Sequence, residues 1–96
     1  MTPKLTLGRI LATPGALKAL QSAGQAPAEF LDRHARRDWG DVCASDGRLN
    51  DRALCDGSRV LSVYQTTAGA RIWVITEATD ESGHRAATTI LLPEEY

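Results

Sequence analysis

Arg71-Ile72-Trp73-Val74-Ile75-Thr76 is the most apolar run in the chain, and its reading decides the fold. Every residue after Arg71 is β-branched or aromatic, the types that suit a pleated, packed surface. The run is continuous rather than alternating, which predicts an interior strand covered on both faces. Thr67-Ala68-Gly69 before it reads as a tight turn, and Arg59 to Thr66, with Val60, Leu61, Val63 and Tyr64, as the preceding strand. Asp80-Glu81-Ser82-Gly83-His84 after it reads as a loop. Ala87-Thr88-Thr89-Ile90-Leu91-Leu92 is then the last strand, stopped by Pro93. These segments predict an antiparallel meander over about 59–92. Trp73 is expected in its core, so that Trp73→Ala would cost about 3–5 kcal/mol.

Ahead of Gly57 the apolar period becomes helical. Thr13-Pro14-Gly15 opens a first helix, with Thr13 as cap and Pro14 in the first turn, where its missing N–H is no loss. Leu17 and Leu20, with Ala16 and Ala23, form its expected buried stripe, and Gly24 ends it. Pro27, Phe30, Leu31 and His34 share one face of a second helix that ends near Arg36. A third helix is expected from Asp46 to Cys55, with Ser45 as N-cap, Gly57 as stop, and Leu49, Ala53 and Leu54 buried. Leu5 to Leu11 reads as a short first strand. The order is β-α-α-α-β-β-β, an α+β fold with helices packed on one face of a small antiparallel sheet. Residues 1–96 form one domain, whose helical half covers about 13–57.

The net charge of −1 gives no basic field and argues against nucleic acid as a partner. Residues 1–26 carry Lys4, Arg9 and Lys18 and no acid, so the acidic excess lies further on and closes in Glu94-Glu95. That asymmetry points to a protein partner with a basic surface. No apolar run approaches the ~20 residues that span a bilayer. Met1-Thr2-Pro3-Lys4 leads into no leader-like segment, so a cytoplasmic location is expected, with no membrane partner. Cys43 and Cys55 are read as free thiols, because their spacing with His34 and His84 matches no zinc signature. No metal or cofactor is expected.

Several stretches carry a resemblance: Leu7-Gly8-Arg9-Ile10, Ala12-Thr13-Pro14-Gly15-Ala16-Leu17, Asp38-Trp39-Gly40-Asp41, Ile72-Trp73-Val74-Ile75-Thr76-Glu77-Ala78 and Thr88-Thr89-Ile90-Leu91-Leu92-Pro93-Glu94-Glu95-Tyr96. Over almost its full length the chain resembles short plasmid-related proteins carried on plasmids and integrative elements of proteobacteria. The resemblance implies a mobile-element setting and supplies no catalytic residues. Some relatives carry a type I restriction label, but this chain has neither the length nor the Gly-rich strand-to-helix turn of a nucleotide-binding methyltransferase. It departs from the group at Arg37, where glycine is more usual, and in the length of the loop from Asp80 to Ala86.

Asp38, Trp39 and Asp41 are the sharpest local cluster: two carboxylates flanking a large aromatic on a loop. They read either as a binding hot spot or as a Trp folded onto the sheet beside turn-capping acids. His34, on an apolar helix face, reads as an edge-of-core histidine with one satisfied hydrogen bond. Arg33, Arg36 and Arg37 are offset by Glu29, Asp32 and Asp38 and read as a solvated face. The reading is therefore a non-enzymatic protein-binding accessory protein of a mobile genetic element, suited to counter-defence against a CRISPR or restriction complex. Asp38, Trp39, Asp41, Glu94 and Glu95 are its expected contact residues. One alternative is a small hydrolase or nuclease using Asp38, Asp41 and His34, with Glu77. Another is a transcriptional or toxin–antitoxin regulator, although Arg48 and Arg52 on the third helix are matched by Asp46 and Asp51.

Overall fold

The change of apolar period at Gly57 divides the chain into a helical layer and a sheet. The computed structural model describes residues 5–96, so the reading of Met1 to Lys4 lies outside the described residues. The elements are β1 (Arg9–Ala12), α1 (Pro14–Ala23), α2 (Pro27–Ala35), α3 (Ala44–Asp56), β2 (Val60–Gln65), β3 (Arg71–Thr76), β4 (Ala87–Leu91) and a closing 3-10 turn (Pro93–Glu95). The fold is α+β, with the helices on one side of a four-stranded sheet of order β1-β4-β3-β2.

Two local signals act as expected. Thr13 accepts a hydrogen bond from the Ala16 amide at 3.1 Å and caps α1. Gly24 (φ 67°) and Gly57 (φ 82°) end α1 and α3 in the left-handed region. α3 begins two residues before the expected start, at Ala44, and Cys43 rather than Ser45 precedes it without a side-chain cap.

β2, β3 and β4 form the antiparallel meander, with β3 in the interior. The sheet is nevertheless mixed, because β1 joins β4 in parallel, Arg9 opposite Ala87 and Ala12 opposite Ile90. The expected first strand over Leu5 to Leu11 is shortened and shifted by Gly8. There the backbone turns with φ 64°, and a Cβ would stand 2.3 Å from the Arg85 carbonyl oxygen. Only after that close approach does the chain enter the β4 ladder.

The sheet faces follow from the register. Val60, Ser62, Tyr64, Ile72, Val74, Thr76, Thr88 and Ile90 point toward the helices and are buried. One apolar cluster joins Ala16, Leu20, Phe30, Tyr64, Ile72, Val74 and Ile90, and a second joins Leu5, Trp39, Ala53 and Val60. Leu17 and Leu49 depart from the expected stripes and are 47% and 58% exposed. Ala16, Leu20 and Ala53 are buried as expected; in α3 Asn50 faces the core in place of Leu49. Leu54 is half-buried.

β3 is not covered evenly. Its outward residues Trp73 and Ile75 lie on the face opposite the helices, where the closing turn packs on β3 and Tyr96 meets Trp73; Ile75 is buried there. Trp73 is half-buried, which corrects the expectation of a core tryptophan.

Candidate functional site

The loop after α2 is built by a left-handed residue that is not glycine. Arg37 has φ 68°, and it allows the Arg37 amide to reach the His34 carbonyl (3.1 Å) and the Asp38 amide to reach the Arg33 carbonyl (2.9 Å). This pair of bonds is the Schellman ending of a helix. Asp38 then turns back: its carboxylate accepts from Arg33 Nε at 2.7 Å and from the Gly40 amide at 3.2 Å. The Arg33 guanidinium holds the Asp38 carboxyl below the usual carboxylate range, and the ion pair is half-exposed. Tyr64 donates its hydroxyl hydrogen to the Asp38 carbonyl at 2.6 Å, and burial pushes the Tyr64 pKa up to about 12.

Trp39 is 8% exposed, which removes it from the surface as the anchor of a loop hot spot. Its ring packs edge-on to His34 at 5.8 Å, and its indole N–H donates to Asp51 at 3.0 Å. Gly40 (φ 73°) lies against β2, and a Cβ there would stand 2.0 Å from the Val63 carbonyl oxygen. Val63 donates to the Trp39 carbonyl and accepts from the Asp41 amide, at 3.0 and 2.7 Å. The 38–41 segment thus serves as a partial fifth strand along β2, leaving the Asp38 and Asp41 side chains as its exposed groups. Asn50 completes that edge: its amide donates to the Leu61 carbonyl at 2.7 Å and accepts from the Leu61 amide at 3.2 Å.

His34 is wholly buried, with both ring nitrogens engaged, rather than at the core edge with one hydrogen bond. The proton positions follow from the far end of its chain of contacts. Thr88 donates to the Leu7 carbonyl, which can only accept, at 2.7 Å. Thr88 must then accept from Thr76 at 2.7 Å, and Thr76 from His34 Nε2 at 2.8 Å. Nδ1 is left as acceptor for the Ser62 hydroxyl at 2.6 Å. Burial first, and the charge of Arg85 second, lower the His34 pKa to about 4, so the ring is neutral near pH 7. Both ring nitrogens of this sealed histidine are committed to Ser62 and Thr76.

The outer face of the sheet is where exposed apolar and charged groups meet. Cross-strand register places Val63, Trp73 and Leu91 in one row and Leu61, Ile75, Thr89 and Leu11 in the next. Tyr96 is 68% exposed and meets Trp73 edge-on at 5.6 Å. Arg59 lies over the Tyr96 ring and donates to its hydroxyl. Beside them Arg59, Ile75, Glu77, Thr89, Leu91 and Tyr96 line an open hollow of about 300 Å³. Glu94 and Glu95 are exposed on the adjoining turn. Glu95 also ties that turn to α1, accepting from the Thr13 hydroxyl at 2.5 Å and the Leu92 amide at 2.8 Å, contacts that lower its pKa.

Glu94 and Glu95 were among the expected contact residues, but the Trp73–Tyr96 pair beside them was not. Buried Arg85 was also missed. Its guanidinium donates to the carbonyls of Ala53, Ser58 and Glu77 at 2.8–2.9 Å, closing the C-terminal end of α3. Burial lowers its pKa. Cys43 and Cys55 are free and exposed. No helix among the described residues is long and apolar enough to cross a membrane. No family model, curated protein or solved structure matches the chain.

Proposed function

We propose that this chain is a protein-binding accessory protein of a mobile genetic element, acting by contact rather than catalysis. Its partner presents a basic surface. A defence complex of the CRISPR or restriction type is the class of target that suits it. The observation that supports this most is the helix-free sheet face, where half-buried Trp73 meets exposed Tyr96, Glu77 lines the hollow with Tyr96, and Glu94 is exposed on the adjoining turn. A paired aromatic supplies desolvated contact area, and flanking acids steer a basic partner. The mobile-element setting rests on the resemblance of the sequence stretches alone. Asp38 and Asp41 remain an exposed acidic pair on the same chain, and they form a second contact that the experiment can separate.

The test begins with capture of a stoichiometric partner from host cells, which is then purified. Its affinity is measured for the wild-type chain, for Glu94→Gln with Tyr96→Ala, and for Asp38→Asn with Asp41→Asn. The first variant is expected to melt slightly earlier, because Tyr96 covers part of Trp73, and its folded fraction to bind about tenfold or more weakly, a typical hot-spot loss. The part of the loss due to Glu94 should shrink at high salt. Unchanged affinity in that variant overturns the assignment to the sheet face. A loss confined to the Asp38 and Asp41 variant moves the contact to the loop.

A further inference from the structure

The two edges of the sheet are treated differently. β2 is sealed by Asn50 and the 38–41 segment, whereas β1 has no neighbour on its outer side among the described residues. In the parallel ladder, Arg9 and Thr13 direct their amides to the Ala86 and Ile90 carbonyls, both at 3.0 Å. Alternation then points the N–H and C=O of Ile10 and Ala12 away from the sheet. Such unpaired groups are a template for another strand. The side chains agree. Of the five exposed large apolar residues among those described, Ile10, Leu11 and Leu17 come from β1 and the helix after it. α1 packs over β4, the strand on the inner side of β1.

We propose that β1 pairs with β1 of a second copy, antiparallel about a two-fold axis, to give one continuous eight-stranded sheet. The outward backbone groups fix the register. Ile10 must exchange both hydrogen bonds with Ala12 of the partner, and Ala12 with the partner's Ile10. Leu11 then faces the partner's Leu11 across the axis as a non-hydrogen-bonded pair, with Cα atoms about 4.5 Å apart.

Charge complementarity selects a second copy as the occupant. The same register sets Arg9 opposite the partner's Thr13. In each copy the Thr13 hydroxyl is already bound to the Glu95 carboxylate. Arg9 is exposed, and neither it nor Glu95 has an ion-pair partner among the described residues. Pairing therefore brings two exposed cations to two carboxylates, once at each end of a short apolar contact. This edge adjoins the Glu94 and Tyr96 contact at Glu95 but is built on Arg9 to Thr13, so the Leu11 variants test it apart from the preceding proposal.

Sedimentation across protein concentration should show a monomer–dimer equilibrium. Leu11→Lys places two like charges across the axis and should weaken the dimer by about tenfold or more, since like charges directly opposite are destabilising. Because Leu11 is exposed, the fold should survive. Arg9→Ala should weaken the dimer by a few-fold, as for an exposed ion pair. Register is tested in a Cys43→Ser, Cys55→Ser background. There Leu11→Cys should cross-link two copies under mild oxidation, because the predicted Cα separation lies within disulfide range. Arg9→Cys, far from its own symmetry mate, should not. A chain that stays monomeric at all concentrations, or a dimer that Leu11→Cys does not cross-link, overturns the proposal.

Discussion

His34 Nε2 lies 2.8 Å from Thr76 Oγ1, which joins the helical layer to the sheet by a polar bond inside the core. The ring is held neutral, so acid should act on it. Its pKa is lowered from 6.5 to about 4, so the unfolded chain binds the proton more readily. The resulting stability is complete above pH 6.5 and is lost as pH falls from 6.5 toward 4. The full loss is on the order of 3 kcal/mol. Asp38, Asp56, Asp80 and Glu95, whose pKa values are also lowered, add acid sensitivity only below their ordinary values of 3.8–4.5. Denaturant melts from pH 7 to 4 should therefore show a fall in midpoint beginning above the carboxylate range. A His34→Gln variant should lose that upper part of the fall.

Arg37 bears a left-handed conformation that glycine adopts at little cost. Arg37→Gly should stabilise the domain by about 1 kcal/mol, since the left-handed region disfavours a Cβ by that order. The side chain is exposed, so little packing is lost. An equilibrium urea melt with unchanged slope and a raised midpoint is the expected result.

Asn50 satisfies both outward backbone groups of Leu61. Asn50→Leu keeps the volume but leaves a donor and an acceptor without partners at a half-buried site. The expected cost is about 2–4 kcal/mol. Amide exchange should confirm the cause, with the Leu61 N–H losing protection before its neighbours in β2.

Trp73 and Trp39 should separate in fluorescence. Trp39 is sealed and Trp73 is reachable from solvent, so acrylamide should quench one emitting population and spare the other. Trp73→Ala should remove the quenchable part and cost about 1–2 kcal/mol, below the loss for a fully buried tryptophan because part of the ring is already wet.

What was legible in the sequence was local. Thr13, Pro14, Gly24 and Gly57 mark helix ends through bonds within a few residues, and the meander follows from turn signals between β-rich runs. The parallel docking of β1 was not legible, because it depends on Gly8 approaching Arg85 and Ala86 across most of the chain. Leu17 misled because Ala16 and Leu20 already complete the buried side of α1, and Leu49 because α3 buries polar Asn50 in its place. In the candidate site, the sequence offered Trp39 as either anchor or core residue, and its contacts with His34 and Asp51 put it in the core. The Trp73–Tyr96 pair was not foreseen, because an unbroken apolar strand does not reveal that helices cover only one of its faces.

The closed edge at β2 sets a limit on assembly size. A sheet with two open edges that adds copies of itself has no natural end, and the product is a fibre. Among the described residues Asn50 and the 38–41 segment leave β1 as the one edge free to pair, so the proposed two-fold union consumes it in both copies. Growth stops at two, and an apolar edge that would otherwise be a hazard becomes compatible with a closed particle of defined mass.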